Sequence, residues 1–120
     1  MDLKFTNDDL ARLCNHHEQL AAWAGTDAAA LEQLLNEIDC ADTLGRLEEL
    51  PHVLVRPAPR GRVGAYGDDD AGVLLKPEGD AAFYREAETA IVVAVSVGAE
   101  NFNPEGATWP RVFATSPTTK

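Results

Sequence analysis

Hydrophobic residues in the first part of the chain recur with the period of an α-helix. Apolar and small side chains follow one another at three- and four-residue spacing over residues 10–24 and again over residues 31–38, which predicts two helices with one apolar face each. Gly25 is a typical helix end, so the two helices are predicted to form an antiparallel hairpin. A further short helical turn is predicted over residues 42–50, ended by Pro51.

A period of two, typical of β-strands, replaces the helical period on both sides of this region. Alternation of apolar and polar residues, or a continuous apolar run, predicts strands over residues 3–6, 52–56, 63–67, 72–77 and 89–97. The last of these runs is apolar on both faces, so we expect it to lie inside the sheet and to be covered on both sides. Thr6 or Asn7 is predicted to cap the helix that follows the first strand.

The order of these elements predicts an α+β fold. One strand, two helices and then a run of strands favour an N-terminal strand and helical hairpin packed on one face of a mostly antiparallel β-sheet. A chain of 120 residues is long enough for one hydrophobic core. We therefore expect a single domain over residues 1–102. Residues 103–120 are predicted to be a C-terminal extension that is poorly ordered unless Phe102, Trp109 and Phe113 hold it in place.

Charge is distributed unevenly along the chain. The formal net charge is −10, and the first fifty residues hold three Lys or Arg against eleven Asp or Glu. Residues 52–85 hold five of each kind, so positive charge is concentrated there. The acidic balance argues against tight non-specific binding of nucleic acid, which depends on Lys and Arg. Any anionic ligand is therefore expected to bind within residues 52–85, against the field of the whole chain.

Features that indicate a compartment point to the cytoplasm. No apolar run reaches the length of about eighteen residues that a membrane span needs, and the N-terminus lacks the basic and apolar regions of a secretory signal. Cys14 and Cys40 both fall in helical apolar patterns. We predict that they are reduced, buried side chains, with a disulfide as the less favoured alternative.

Two groups of polar residues resemble metal ligands but lack the required spacing. Cys14, His16 and His17 lie close in sequence, but adjacent helical residues point in different directions, and two ligands do not complete a zinc site. Residues 68–70 are three aspartates, which fit a hairpin turn better than a calcium loop because the twelve-residue ligand spacing is missing. No metal and no cofactor is predicted.

Several local sequences, taken in their order, resemble one protein family. Residues 37–51 end in Leu-Glu-Glu-Leu-Pro, Arg62-Val-Gly64-Ala-Tyr66 has an arginine and a glycine before an aromatic residue, and residues 73–77 read Val-Leu-Leu-Lys-Pro. With the first strand and the final apolar strand, these segments resemble the RelE/ParE superfamily of toxins from bacterial type II toxin–antitoxin systems. The HigB-type plasmid-maintenance killer proteins are the branch that they resemble most. The resemblance covers about residues 1–102.

The resemblance implies a helical hairpin on a sheet and an endoribonuclease that cuts mRNA in the ribosomal A site. It also implies two kinds of partner, an antitoxin of the helix-turn-helix type and the ribosome with its mRNA, and it leaves a homodimer open. The candidate catalytic residues are Arg60, Arg62, Tyr66 and Lys76, and the candidate phosphate- or RNA-binding residues are Arg56 and Arg85. In these roles, arginine and lysine stabilise the charge on the phosphate, and Tyr66 or Tyr84 serves as the acid only with a strongly lowered pKa.

The chain departs from the family pattern at two positions that matter for chemistry. Gly72 stands where the family commonly has an arginine, and Glu100-Asn101-Phe102 replaces the usual Asp-Tyr-His ending. A catalytically weakened relative is therefore one alternative, and a non-catalytic protein-interaction module on the same scaffold is another. In the simplest interpretation, the arginines are solvated strand ends that offset neighbouring carboxylates.

Overall fold

A mixed β-sheet forms one layer of the fold, in the part of the chain that the computed structural model describes: residues 1–67, 70–79 and 81–110. Its six strands are β1 (Asp2–Phe5), β2 (Leu54–Ala58), β3 (Arg62–Tyr66), β4 (Gly72–Pro77), β5 (Thr89–Val97) and β6 (Glu100–Phe102). The strand order is β1-β5-β4-β3-β2, and β6 also pairs with β5. Only β1 and β5 run parallel, and the other pairs among these strands are antiparallel. The predicted α+β class, with a mostly antiparallel sheet, is confirmed.

Helices form the second layer. They are α1 (Asp8–Asn15), α2 (His17–Ala24), α3 (Ala28–Cys40) and α4 (Leu44–Glu48). The side chain of Asn7 accepts a hydrogen bond from the backbone N–H of Leu10 at 2.8 Å, as predicted for the first helix cap. Thr43 caps α4 in the same way, through the N–H of Arg46.

The first predicted helix is interrupted, which the apolar pattern does not reveal. His16 has extended dihedral angles, φ −122° and ψ 109°, so the chain ends α1 at this residue and begins α2 immediately after it. Leu10 and Leu20 are nevertheless both fully buried in the same core. The break therefore changes the direction of the helix and preserves its apolar side.

The hydrophobic core lies between the helices and one face of the sheet. Leu31, Leu34 and Ile38 of α3 are almost completely buried. They belong to one cluster with side chains from every strand of the sheet, including Leu3, Val55, Val63, Val73, Val92 and Phe102. Burial of a leucine side chain contributes about 2 kcal/mol relative to exposure, so α3 contributes much of the stability of the fold.

Strand β6 was not predicted, because Glu100-Asn101-Phe102 has no run of apolar residues. It forms by antiparallel pairing with residues 95–97 of β5. Phe102 packs edge-on against Trp23 of α2, with 6.4 Å between the ring centroids. A tertiary contact thus stabilises a strand that its own sequence would not specify.

Two further predictions about single residues have different outcomes. Cys14 is partly buried, but Cys40 is exposed at the end of α3, so the prediction that both are buried is wrong for Cys40. No disulfide joins them, because both are free thiols.

Asp68, Asp69 and Phe113 lie outside the described residues. Most of the predicted polar turn and one of the predicted aromatic contacts of the extension therefore lie outside them too. Among the helices of the described residues, none is long and apolar enough to cross a membrane.

Candidate anion-binding face

The sheet presents a second face, opposite the helices, on which several basic residues lie. Leu3, Val55, Val63 and Leu75 pack in the core from β1, β2, β3 and β4. Side chains alternate between the two faces of a strand, so the residues next to these four can point away from the core. Basic residues occupy such positions on four strands. We call this surface the basic face and define it by Lys4, Arg56, Arg62, Tyr66 and Lys76.

Register places three of these cations in one row across the sheet. Lys76 of β4 and Lys4 of β1 both pair with Ile91 of β5. Arg62 lies one step beyond the pair of Val63 with Leu75, and so comes opposite Lys76. With about 4.8 Å between neighbouring strands, Arg62 and Lys76 are close neighbours, and Lys4 lies about 10 Å beyond Lys76.

A row of like charges is unfavourable unless an anion lies beside it. Cations directly opposite on neighbouring strands repel each other and destabilise the pairing. Lys4 is offset by Glu78, whose carboxylate oxygen is 3.2 Å from Nζ. Lys76 is exposed and makes no ion pair with another described residue. The arrangement is therefore suited to binding an anionic group.

Arg56 and Arg60 border this row. Arg56 pairs with Gly64 across β2 and β3, and its side chain is exposed on the same face. Arg60 lies in the turn between these strands, exposed, with a φ of 63°. This left-handed conformation directs the chain back toward β3, and it places Arg60 at the end of the sheet and not on its face.

Arg85 does not belong to the basic face. It lies in the short 3₁₀ segment Ala81–Glu86, which packs beside α4. Its Nε is 3.1 Å from a carboxylate oxygen of Glu48, and its guanidinium carbon is 4.9 Å from the centre of the Tyr84 ring. The structure thus brings Arg56, Arg62, Lys76 and Tyr66 to one surface, and separates Arg85 from them.

Residues 103–110 lie across the basic face, and we call this segment the strap. The Trp109 ring lies 6.2 Å from the Tyr66 ring, tilted by 41°. Pro110 is buried and lies directly above Gly64, where a Cβ would come within 2.7 Å of its Cγ. Trp109 and Ala107 also pack against a small apolar cluster on this face, formed by Leu74, Val93 and Ala94. The face is thus covered at its centre.

Glu105 of the strap interacts with the basic row itself. Its carboxylate lies 3.6 Å from a terminal nitrogen of Arg62, whose side chain is only 18% exposed. The same carboxylate accepts a hydrogen bond from the hydroxyl of Thr6. An acidic side chain of this chain therefore already occupies the place where an external anion would meet Arg62.

Tyr66 is held in its neutral form. It is 6% exposed, and burial raises the pKa of its phenol to about 12. A phenol with so high a pKa releases its proton with difficulty, so Tyr66 is a poor general acid at neutral pH.

No histidine lies on the basic face within the described residues. His17 and His52 pair instead with Glu32 and Glu37 of α3, in the helical layer. Nor do the described residues contain a group of three or more His, Cys, Asp or Glu that could hold a metal ion. The face therefore has cations for binding phosphate, but it lacks the histidine that most often serves as a general base.

Three residues of this surface were not predicted from the sequence to belong to the site: Lys4, Thr6 and Glu105. The alternation of Leu3, Lys4 and Phe5 could have placed Lys4 opposite the apolar side of β1. No sequence pattern could have placed Glu105 beside Arg62, since the two lie more than forty residues apart.

Comparison with known proteins adds no relative to this description. No family model, curated protein or solved structure matches the sequence significantly. The basic face and the strap are therefore the features from which a function can be inferred.

Proposed function

We propose that the chain is a RelE/HigB-like toxin relative that binds single-stranded RNA on the basic face and cleaves it weakly or not at all. The observation that carries this proposal is the placement of Arg62 and Lys76 opposite each other on neighbouring strands. Both residues come from the segments that resemble the toxin family. Their proximity is what phosphate binding by that scaffold would require.

Charge and chemistry support binding of phosphate groups at this surface. Arginine offers a planar fork of N–H donors that fits a phosphate, and lysine offers a compact charge. Lys4, Arg56, Arg62 and Lys76 are four of the ten Lys and Arg residues of a chain whose net charge is −10. The acidic helices repel RNA, so this side of the sheet is where RNA can approach.

Weak cleavage follows from the groups that surround the cations. Attack by a 2′-hydroxyl needs a base, and departure of the 5′ oxygen needs an acid. Tyr66 is buried with a pKa of about 12, and histidines are absent from the described part of this face. The cations can stabilise charge on the phosphate, and that contribution alone gives slow cleavage.

An antitoxin of the helix-turn-helix type is the proposed protein partner, and the ribosome with its mRNA is the proposed target. An antitoxin segment that neutralises such a toxin would cover Arg62 and Lys76. Acidic and aromatic side chains would suit this task, as the strap of this chain illustrates through Glu105 and Trp109.

The first test measures RNA binding by fluorescence anisotropy with a labelled oligouridylate. Replacing both Arg62 and Lys76 by Ala should weaken binding about tenfold, because two phosphate contacts are lost. Arg12→Ala with Arg46→Ala is the matched control, since both are exposed helical arginines in ion pairs with nearby carboxylates. An equal loss of RNA affinity in both double variants would show that the loss follows from net charge alone, and it would contradict the proposal.

The second test is expression in a bacterial host. A weakened relative should slow growth slightly, and Arg62→Ala should remove that effect. Rapid growth arrest that Arg62→Ala relieves would show that cleavage is retained. Normal growth together with no RNA binding would contradict both forms of the proposal.

The free edge of the sheet favours a second candidate, a non-catalytic protein-interaction module. Among the described strands, β2 pairs only with β3, so none of them covers its other edge. Leu54 at the start of β2 is 38% exposed. An extended peptide could add a strand there, and a β2 variant that loses a protein partner while RNA binding is unchanged would support this candidate.

A further inference from the structure

We propose that the strap is an intramolecular competitor of RNA, with Glu105 in the place of a phosphate and Trp109 in the place of a stacked base. This inference rests on the proposed function, because it concerns regulation of the same basic face. RNA and the strap would then exclude each other, and the affinity measured for RNA would include the work of displacing the strap.

Glu105 is the first reason to regard the strap as a substitute for the ligand. Its carboxylate reaches Arg62 at 3.6 Å and Thr6 through a hydrogen bond. Arg62 stands in the row of cations that an RNA backbone would follow. A carboxylate and a phosphate oxygen make the same kind of contact with a guanidinium group, so only one of them can occupy this place at a time.

Trp109 is the second reason. Its ring covers Tyr66 at 6.2 Å, and Tyr66 is the aromatic residue beside the row of cations. Proteins that bind single-stranded nucleic acid without sequence preference combine a basic surface with aromatic rings on which bases stack. With Trp109 in place, the Tyr66 ring is not accessible to a base.

The way in which the strap is attached would allow it to leave the face as a unit. The side chain of Asn103 closes the strap on itself: Asn103 Nδ2 donates to Ala107 O at 2.8 Å, and Asn103 Oδ1 accepts from Ala107 N at 2.9 Å. Within the described residues, no main-chain hydrogen bond connects the strap to the sheet. Phe102, immediately before it, is held by Trp23 of α2. Among the described residues, the strap is therefore held on the face by side-chain contacts, and β6 fixes its first end.

The test uses the full chain and the same labelled oligouridylate. Glu105→Gln keeps the shape of the side chain and removes its charge, and it should tighten RNA binding about two- to fivefold, the range of a partly exposed ion pair. Trp109→Ala should tighten it further. Glu100→Gln is the matched control, because Glu100 is exposed and forms no ion pair with a described residue.

A second readout follows the strap directly. In a Trp23→Phe background, Trp109 is the remaining tryptophan of the two in the chain. Saturating RNA should shift its emission to the red and make it easier to quench with acrylamide, since the ring leaves the sheet for water. This readout separates displacement from a general effect of charge.

Failure of the proposed competition and failure of the proposed RNA binding give different results. Binding of RNA to the natural chain with unchanged affinity in Glu105→Gln and unchanged Trp109 emission would overturn the competition and leave the RNA site intact. Absence of binding in the natural chain and in both variants would overturn the proposed function, and the competition with it. Binding that appears only in Glu105→Gln or Trp109→Ala would support both.

Discussion

Gly64 shows how a single residue decides what covers a sheet. A glycine in the middle of β3 leaves room above the strand, and Pro110 fills that room. Tyr66, two residues further on the same face, is then buried beside Trp109. The missing side chain of Gly64 thus leaves room for the segment that helps to bury Tyr66, and this burial raises the pKa of Tyr66.

Gly64→Ala should destabilise the fold or force the strap from the face. The new methyl group would lie 2.7 Å from Pro110 Cγ and 2.8 Å from the Tyr66 hydroxyl oxygen, and overpacking of this kind costs about 1–3 kcal/mol. Urea unfolding measures the loss. Gly67→Ala is the control, because its Cβ would meet Leu34 at an ordinary 3.4 Å. Equal stability of the two variants would contradict close packing at Gly64.

Tyr66 should make stability depend on pH in the alkaline range. Burial raises its pKa from 10.0 to about 12, so the unfolded chain releases this proton at lower pH than the folded chain. The stabilisation of the folded state by the protonated Tyr66 phenol is fully present below about pH 10 and is lost as pH rises toward 12. Tyr66→Phe should therefore show a smaller fall in unfolding free energy over this range. Parallel curves for the two proteins would rule out the raised pKa.

Among the elements, α3 carries the largest share of the helical contribution to the core. Leu31, Leu34 and Ile38 lie on one side of it and contact the sheet, whereas Gln33 and Asn36 on the other side are exposed. Its apolar stripe was evident in the sequence, and its position over β4 and β5 is a result of the fold. The short helices around α3 depend more on caps and tertiary contacts than on their own length.

Leu31→Ala should lower the free energy of unfolding by about 2–5 kcal/mol, because it leaves a cavity in a fully buried site. Gln33→Ala, on the exposed side of the same helix, should change it by less than about 0.5 kcal/mol. Chemical denaturation followed by circular dichroism compares the two. A small effect of Leu31→Ala would mean that α3 does not pack on the sheet as described.

At the scale of the whole molecule, the charge is divided between two sides. The helical layer is acidic, and its carboxylates include Glu32 and Glu37 of α3. The basic face lies on the other side of the sheet. A net charge of −10 repels polyanions at long range, so any RNA binding must come from short contacts with the few cations of that face.

RNA binding should therefore depend on salt to a limited extent. Each phosphate contact with a single strand contributes about −0.7 to the slope of log affinity against log salt concentration, so contacts from four cations predict a slope of about −3. Arg62→Ala should reduce the magnitude of this slope by about 0.7. Titrations at several salt concentrations measure it, and a slope near zero would show that the basic face does not bind the backbone.

Much of the candidate site could be anticipated from local sequence. A strand was predicted over residues 63–67, and the structure forms it over Arg62–Tyr66. Alternation places Arg62 and Tyr66 on one face of it. Arg85 was grouped with them only because it is basic and nearby in sequence. Its contact with Glu48 of α4 keeps it away from the basic face. This contact depends on the path of the chain between β4 and β5.

Apart from the helix break at His16 and the strand β6, the sequence by itself determined the kinds of elements, their order and the side of each that is buried. These follow from local periods of 3.6 and 2 and from the solvation of side chains. The tertiary structure alone decided the parallel pairing of β1 with β5, the row from Lys4 to Arg62, the strand β6 and the placement of Glu105 and Trp109 over the sheet. Apart from the local pairing of β6 with β5, these features join residues that are distant along the chain, and β6 itself is held by the contact of Phe102 with Trp23. Their free energy comes from contacts that exist only after the layers have packed.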